Sequence, residues 1–447
     1  MAQETTTDLT TGRPLTRILL FSIPLILGSI VQQLYNFADT VVVGRFVGSD
    51  ALGAVGATYA LNFLVLGFAQ GAGIGFGIPV AQRFGAHDEE GFRRFLWNGA
   101  WASAALSIVL AVAMIAAARP LLVLLGTPAD LLDMATIYIV VVFAGIPATL
   151  FYNFSAAVLR AVGDSRHPFI FLAISCVVNV GLDLVFILVF DMGVAGSALG
   201  DVLGTMLSVA LNCWWAFSRV PWVRVDRAAM APSARHLRRL CVIGLPMGFE
   251  YSVSAVGALA MQGAINSFGT VTVTAQTTGE KIRQLFTLPT EGMGMAMASY
   301  AGQNYGASRF DRIRAGIKSA LGIQLVYCVV AWLAIFLFKG ALVGFVLGDE
   351  VSPAITSEAV EYLSVISCFF IFHGMLMVFR NTLQGMGYSV QAIISGFCEL
   401  AGRCAGSVAA LSGAGFLAIC LANPLAWALA LTYCATMVAL ILHKHRP

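Results

Sequence analysis

Charge is what this chain lacks most. Only 11% of its 447 residues are Asp, Glu, Lys or Arg, against 59% hydrophobic residues and a mean hydropathy of +0.84. So little polarity cannot cover the surface of a soluble globule. The nine cysteines contain no C-x-x-C pair and lie in or beside apolar segments, so they read as small core hydrophobes rather than a zinc or redox centre. A Walker A sequence, a nucleophile elbow and a paired-carboxylate metal motif are also missing, which argues against an enzyme and against an internally ATP-driven pump. With a net charge of only +3 and no aromatic-interleaved basic patch, nucleic acid is not an expected partner, and no cofactor is expected either.

What the chain does have is apolar segments of about 20 residues repeated along its whole length, the span of a bilayer. Helices are expected near 17–43, 51–81, 94–118, 131–158, 168–190, 194–217, 238–267, 271–301, 315–338, 354–379, 389–411 and 415–442. This predicts an all-α polytopic membrane protein with twelve transmembrane helices. The first stretch is too long for a signal-peptide core and is expected to remain as a helix behind the polar segment Met1 to Thr16. Basic residues crowd the loops on one side, from Arg13 and Arg17 through the Arg219–Arg239 cluster to Lys444 and Arg446, while the opposite loops hold only Arg45, Arg119 and Lys339. The asymmetry predicts both termini in the cytoplasm.

An internal repeat organises these spans. Leu20-Phe-Ser-Ile-Pro24 answers Val242-Ile-Gly-Leu-Pro246, Gln82-Arg-Phe-Gly85-Ala86 answers Gln303-Asn-Tyr-Gly306-Ala307, and Leu159-Arg-Ala-Val-Gly163 answers Leu383-Gln-Gly-Met-Gly387, all at an offset of about 222 residues. Six spans per repeat make the repeats parallel, two six-helix lobes related by a pseudo-two-fold along the membrane normal. The expected division is an N-terminal lobe over 1–218, a cytoplasmic linker over 219–236 containing Pro221 and Pro232, and a C-terminal lobe over 237–447. Two facing bundles imply a central cleft.

Carboxylates inside apolar spans are costly and mark functional sites. Asp39 near the outer end of helix 1, Asp183 near that of helix 5 and Asp201 two turns into helix 6 fall at similar depth in the outer half of the first lobe. Asn179, one turn from Asp183, can join the same polar pocket. Three carboxylates in one low-dielectric pocket cannot all stay ionised without a cation, so the group reads as a site for a proton or a hard monovalent cation. Pro24 inside helix 1 removes a backbone hydrogen bond, serving as a hinge or as a tolerated proline.

The second half carries a different set. Glu399 and Arg403, four apart, are expected to pair within their helix, and of the adjacent Glu280 and Lys281 one must find a partner elsewhere or face the cleft. Glu250, Glu280 and Tyr35 are the candidates for a substrate cavity, whereas His373 reads as a hydrogen-bonded core histidine.

These motifs resemble the multidrug and toxic compound extrusion (MATE) transporters, in the bacterial branch that includes the DNA-damage-inducible F type. The likeness runs through Ile23-Pro24-Leu25 with Asp39, Leu159-Arg160-Ala161-Val162-Gly163-Asp164, and Ala301-Gly302-Gln303-Asn304-Tyr305-Gly306-Ala307. It implies two lobes in a V shape and secondary active, multidrug-type efflux of organic, cationic compounds by antiport against protons or sodium. A monomer in the bacterial inner membrane is expected. Residue by residue, the family's cation site falls on Asp39, Asn179 and Asp183, where sodium is a possible ligand, and Asp201 stands where relatives often have Thr. A second-lobe sodium site of another branch needs a helix 7 Glu, and the position here is Ser254. A flippase for a lipid-linked precursor, with an Arg-rich cleft, and a non-transporting scaffold or receptor are the alternatives.

Overall fold

The computed structural model describes residues 7–348 and 352–445, which are 88% helical with no strand among them. The first repeat builds α1 (Pro14–Val42, continued by a π turn, Val43–Val47), α2 (Ser49–Gly85), α3 (Glu89–Leu124), α4 (Leu132–Ala144), α5 (Ile146–Ala161), α6 (Arg166–Leu188) and α7 (Gly193–Arg219). A short α8 (Arg227–Met230) lies in the join. The second repeat builds α9 (Ala234–Asn266), α10 (Thr270–Gly306), α11 (Phe310–Leu347), α12 (Pro353–Ser367), α13 (Phe370–Gly385), α14 (Ser389–Ala409) and α15 (Gly415–Lys444).

Each of the twelve expected spans has a helical counterpart. Among the described residues, eight helical stretches are long and apolar enough to cross a membrane, and two bent pairs bring the number to ten. The stretch Ser389–Lys444 is interrupted at Gly413, whose φ of 107° is non-helical, and so counts as two spans. α10, 37 residues long, carries Glu280, Lys281, Arg283 and Glu291 and completes the set. This is the all-α fold of a multi-pass membrane protein.

Two expectations change. Spans 4 and 10, expected as single helices, are each broken: α4 and α5 meet at 40° across Gly145, and α12 and α13 at 48° across Cys368 and Phe369. In the first break Pro147 opens α5 without a backbone N–H, so continuing α4 through it would leave a carbonyl unpaired. The helices also run past their expected ends. α2 has 37 residues, about 55 Å at 1.5 Å per residue, well beyond an apolar core of about 30 Å. Arg83, Arg93, Arg160 and Arg380, outside the expected spans, therefore sit on helical turns.

The chain forms two compact units. The first comprises the segment up to Thr10, Leu27–Ser252 and Gly302–Ser308; the second comprises Thr11–Ile26, Val253–Ala301 and the residues from Arg309 onward. In the first, an extended core of Phe76, Phe92, Phe143, Ile146 and Leu150 lies among α2, α3, α4 and α5. The repeated Gln-x-x-Gly motifs meet there. A Cβ on Gly85 would lie 1.9 Å from the carbonyl oxygen of Gln303, and one on Gly306 would lie 1.8 Å from that of Gln82, so only glycine fits either position. The two copies pack reciprocally, as a self-complementary contact does about a two-fold axis. Residues Thr7–Thr10 are threaded beside them, with the Leu9 N–H donating to Gln303 Oε1 at 2.8 Å while Gln303 Nε2 donates to the Ala161 carbonyl at 2.8 Å. In the second unit, Tyr300, Tyr362, Ile335 and Leu376 are among the fully buried side chains.

Candidate functional site

α6 and α7 are antiparallel neighbours in tight register. A Cβ on Gly200 would lie 2.0 Å from Asp183 Oδ1, and one on Gly204 would lie 2.9 Å from Asn179 Cβ. Small residues at four-residue spacing let the helices come this close, as is common in membrane bundles. The approach buries Asp183 completely, and neither of its carboxylate oxygens has a hydrogen-bond partner among the described residues. One turn along, Asn179 Nδ2 donates to Asp201 Oδ1 at 3.2 Å, while its own Oδ1 is unpartnered.

From α1, Asp39 accepts a hydrogen bond from Ser197 Oγ at 2.8 Å, one helical turn before Asp201. Asp39 and Asp183 lie within electrostatic reach of each other and of the buried Tyr138 on α4. The structure thus brings Asp39, Asn179, Asp183 and Asp201 into one polar cluster, and adds Ser197 and Tyr138, which sequence reasoning missed. Ser197 was open to discovery, because it precedes Asp201 at the same four-residue spacing that singled out Asn179 beside Asp183. Tyr138 left no such signal, since its role depends on how α4 packs. None of the three carboxylates is paired with a Lys or Arg among the described residues. A cluster of carboxylates inside apolar spans, Asp183 buried and Asp39 and Asp201 half-buried, with no Lys or Arg paired to it among the described residues, is built to take up a proton or a cation.

The candidate cavity residues are placed differently. Tyr35 and Glu250 belong to the first unit and Glu280 to the second. The Tyr35 hydroxyl has no hydrogen-bond partner among the described residues, and Glu250 is buried. Glu280 is engaged: Arg283 donates to both its oxygens, at 2.8 Å and 2.5 Å, and the Tyr362 hydroxyl donates at 2.6 Å. The Glu399–Arg403 pair forms as expected at 3.1 Å, but Glu399 also receives Arg380 at 2.5 Å. Ser254 faces a guanidinium: Arg403 Nη1 donates to its carbonyl at 2.9 Å and to its hydroxyl at 3.2 Å. His373 is a hydrogen-bonded core residue, 2.8 Å from Thr290 Oγ1. Pro24 lies inside α1, three residues before the point at which that helix passes from the second unit to the first.

Comparison with known proteins places these features in a lineage. The family model described as MatE matches residues 24–185 and 246–402, one stretch in each repeat. The probable multidrug resistance protein YpnP of Bacillus subtilis is 29% identical over 389 residues, covering 87% of this chain and 86% of that protein. The multidrug export protein MepA of Staphylococcus aureus is 21% identical over 380 residues, covering 84% and 83%. Among solved structures, a MOP-superfamily transporter from Pyrococcus furiosus superposes with a TM-score of 0.92 at 22% identity, covering 100% of this chain and 99% of that one. An outward-facing multidrug resistance MATE transporter gives 0.90 at 23% identity, with coverage of 98% and 99%.

Proposed function

The chain belongs to the MATE family and is a membrane transporter of small molecules rather than an enzyme, and from that premise we propose that it exports organic, cationic, multidrug-type compounds by antiport against an inflowing cation. The observation that carries this reading is the cluster of Asp39, Asp183 and Asp201, in which Asp183 is buried with both oxygens unpartnered. Loading it with a proton or sodium ion relieves repulsion among the acids, so α1, α6 and α7 can repack and shift the balance between two conformations. A ligand shifts that balance only by its differential affinity, which a site of this charge supplies. The names of the relatives, multidrug resistance and multidrug export proteins, support the substrate class.

The flippase alternative calls for a free arginine cluster. Arg283, Arg380 and Arg403 do lie in the second unit, yet each is held in an ion pair, Arg283 with Glu280 and the other two with Glu399, which favours efflux. We place the protein in a bacterial inner membrane with both termini cytoplasmic, on the charge asymmetry of its loops. The test is ethidium export by proteoliposomes with proton and sodium gradients imposed separately, comparing wild type with Asp39→Asn. The variant keeps shape and removes charge, so it should insert and fold but lose gradient-driven export. Full export by Asp39→Asn at normal protein level would refute the coupling role.

A further inference from the structure

The acidic cluster lies in the outer half of its unit, so a proton bound there must still cross most of the bilayer to reach the face that bears the termini. The α6–α7 seam offers a route. Its register is antiparallel, with Asp183 against Gly200 and Asn179 against Gly204. Continued by four residues on each helix, it sets Ser175 opposite Ser208. Both hydroxyls are buried and neither has a hydrogen-bond partner among the described residues. Buried serines such as Ser107 and Ser395 donate back to their own helix, whereas Ser103 and Ser389, like this pair, have no partner among the described residues. One turn further, Asn212 is buried, its Oδ1 without a partner among the described residues and its Nδ2 donating to Ser155 Oγ on α5 at 3.2 Å. Six of the twelve buried, unpartnered side-chain atoms among the described residues belong to Asp183, Asn179, Ser175, Ser208 and Asn212. They lie along one seam.

The seam ends at a polar terminus. Trp215 Nε1 donates to Asp164 Oδ2 at 3.1 Å, and His167 Nδ1 is 2.7 Å from the same oxygen. From Ser197 to Trp215, α7 rises about 27 Å, close to the thickness of an apolar core. Buried polar atoms without protein partners are satisfied by water, and close packing alone, which small residues serve, does not call for Asn179, Asp183 and Asn212 in the seam.

We propose that the α6–α7 seam is a water file that carries protons between the acidic cluster and Asp164–His167. The proposal rests on the reading of the cluster as the coupling site, with the proton as its ion. Each step moves one proton from a water or carboxyl O–H to a neighbouring water oxygen, the donor keeping its electron pair. The hydroxyl and amide groups of Ser175, Ser208 and Asn212 hold the waters in line, and the last acceptor is the Asp164–His167 pair or bulk water beyond it.

Two variants probe the file without touching the cluster: Asn212→Leu, nearly isosteric, and Ser208→Ala. In proteoliposomes, each should slow ethidium export driven by a proton gradient about tenfold, the effect of 1.4 kcal/mol on a barrier. Ethidium exchange at equal pH on both sides, which needs no net proton release, should stay within about twofold of wild type. Wild-type gradient-driven export in both variants overturns the file, and so does an equal loss of both modes, which would mark a packing role. Asp183→Asn separates this from the underlying reading. If it abolishes gradient-driven export while the file variants run normally, or if export runs on sodium alone, only the file fails; if export survives Asp183→Asn, the coupling reading fails with it.

Discussion

Replacing Gly200 with alanine tests the acidic cluster by geometry rather than by charge. The new Cβ would lie 2.0 Å from Asp183 Oδ1, 3.2 Å from its Cγ and 3.4 Å from its backbone nitrogen. The latter two are near ordinary contact, so the clash is with the carboxylate itself. Restoring 3.4 Å at Oδ1 requires a displacement of about 1.4 Å, either by turning the carboxylate or by parting the helices. Overpacking of this kind typically costs about 1–3 kcal/mol. If the carboxylate turns, that cost falls on the geometry of ion uptake, and gradient-driven export should drop about 5- to 150-fold at 1.4 kcal/mol per decade. Gly196→Ala is the control, because its Cβ would meet Phe186 Cβ at 3.0 Å, a point fixed to the backbone that cannot turn aside and lies outside the acidic cluster. It should lower the melting temperature more than it lowers export by the protein that remains folded. Both are measured by thermal unfolding of the purified transporter beside export in proteoliposomes. Wild-type melting together with wild-type export for Gly200→Ala would mean that Asp183 is not wedged against α7, or that its position is irrelevant to transport.

Other perturbations follow from the same contacts. Pro24→Ala restores the hydrogen bond that the proline denies α1 and stiffens the helix where it passes between the units; dye binding should persist while turnover slows, and a wild-type rate would make the proline structural. Glu399→Gln leaves Arg380 and Arg403 facing a neutral amide in a buried site and should cost about 3–5 kcal/mol, read as a strong loss of thermal stability that an unchanged melting curve would contradict. Gln303→Leu orphans the Leu9 N–H and the Ala161 carbonyl, about 1–3 kcal/mol for each buried group; if melting does not fall, those two bonds do not hold Thr7–Thr10 in place.

The number of spans, the all-helical class, the repeat and the suspect acids were legible in the sequence because each is set by something local. Apolar length answers to bilayer thickness, and a carboxylate inside an apolar run stands out whatever it touches. Helical spacing likewise exposed the Asn179–Asp183 face and the Glu399–Arg403 pair. Tertiary packing decided the rest. Arg380 looked like a loop residue until α13 carried it to Glu399, and only packing brings Arg403 from α14 to Ser254. Tyr138 reached the acids only through the packing of α4, and the line of unpartnered polar atoms from Asp183 to Asn212 exists only in the α6–α7 register. Periodicity states which residues share one helix face, but the residue that meets that face comes from another helix, and which one it is depends on close packing that no single segment encodes.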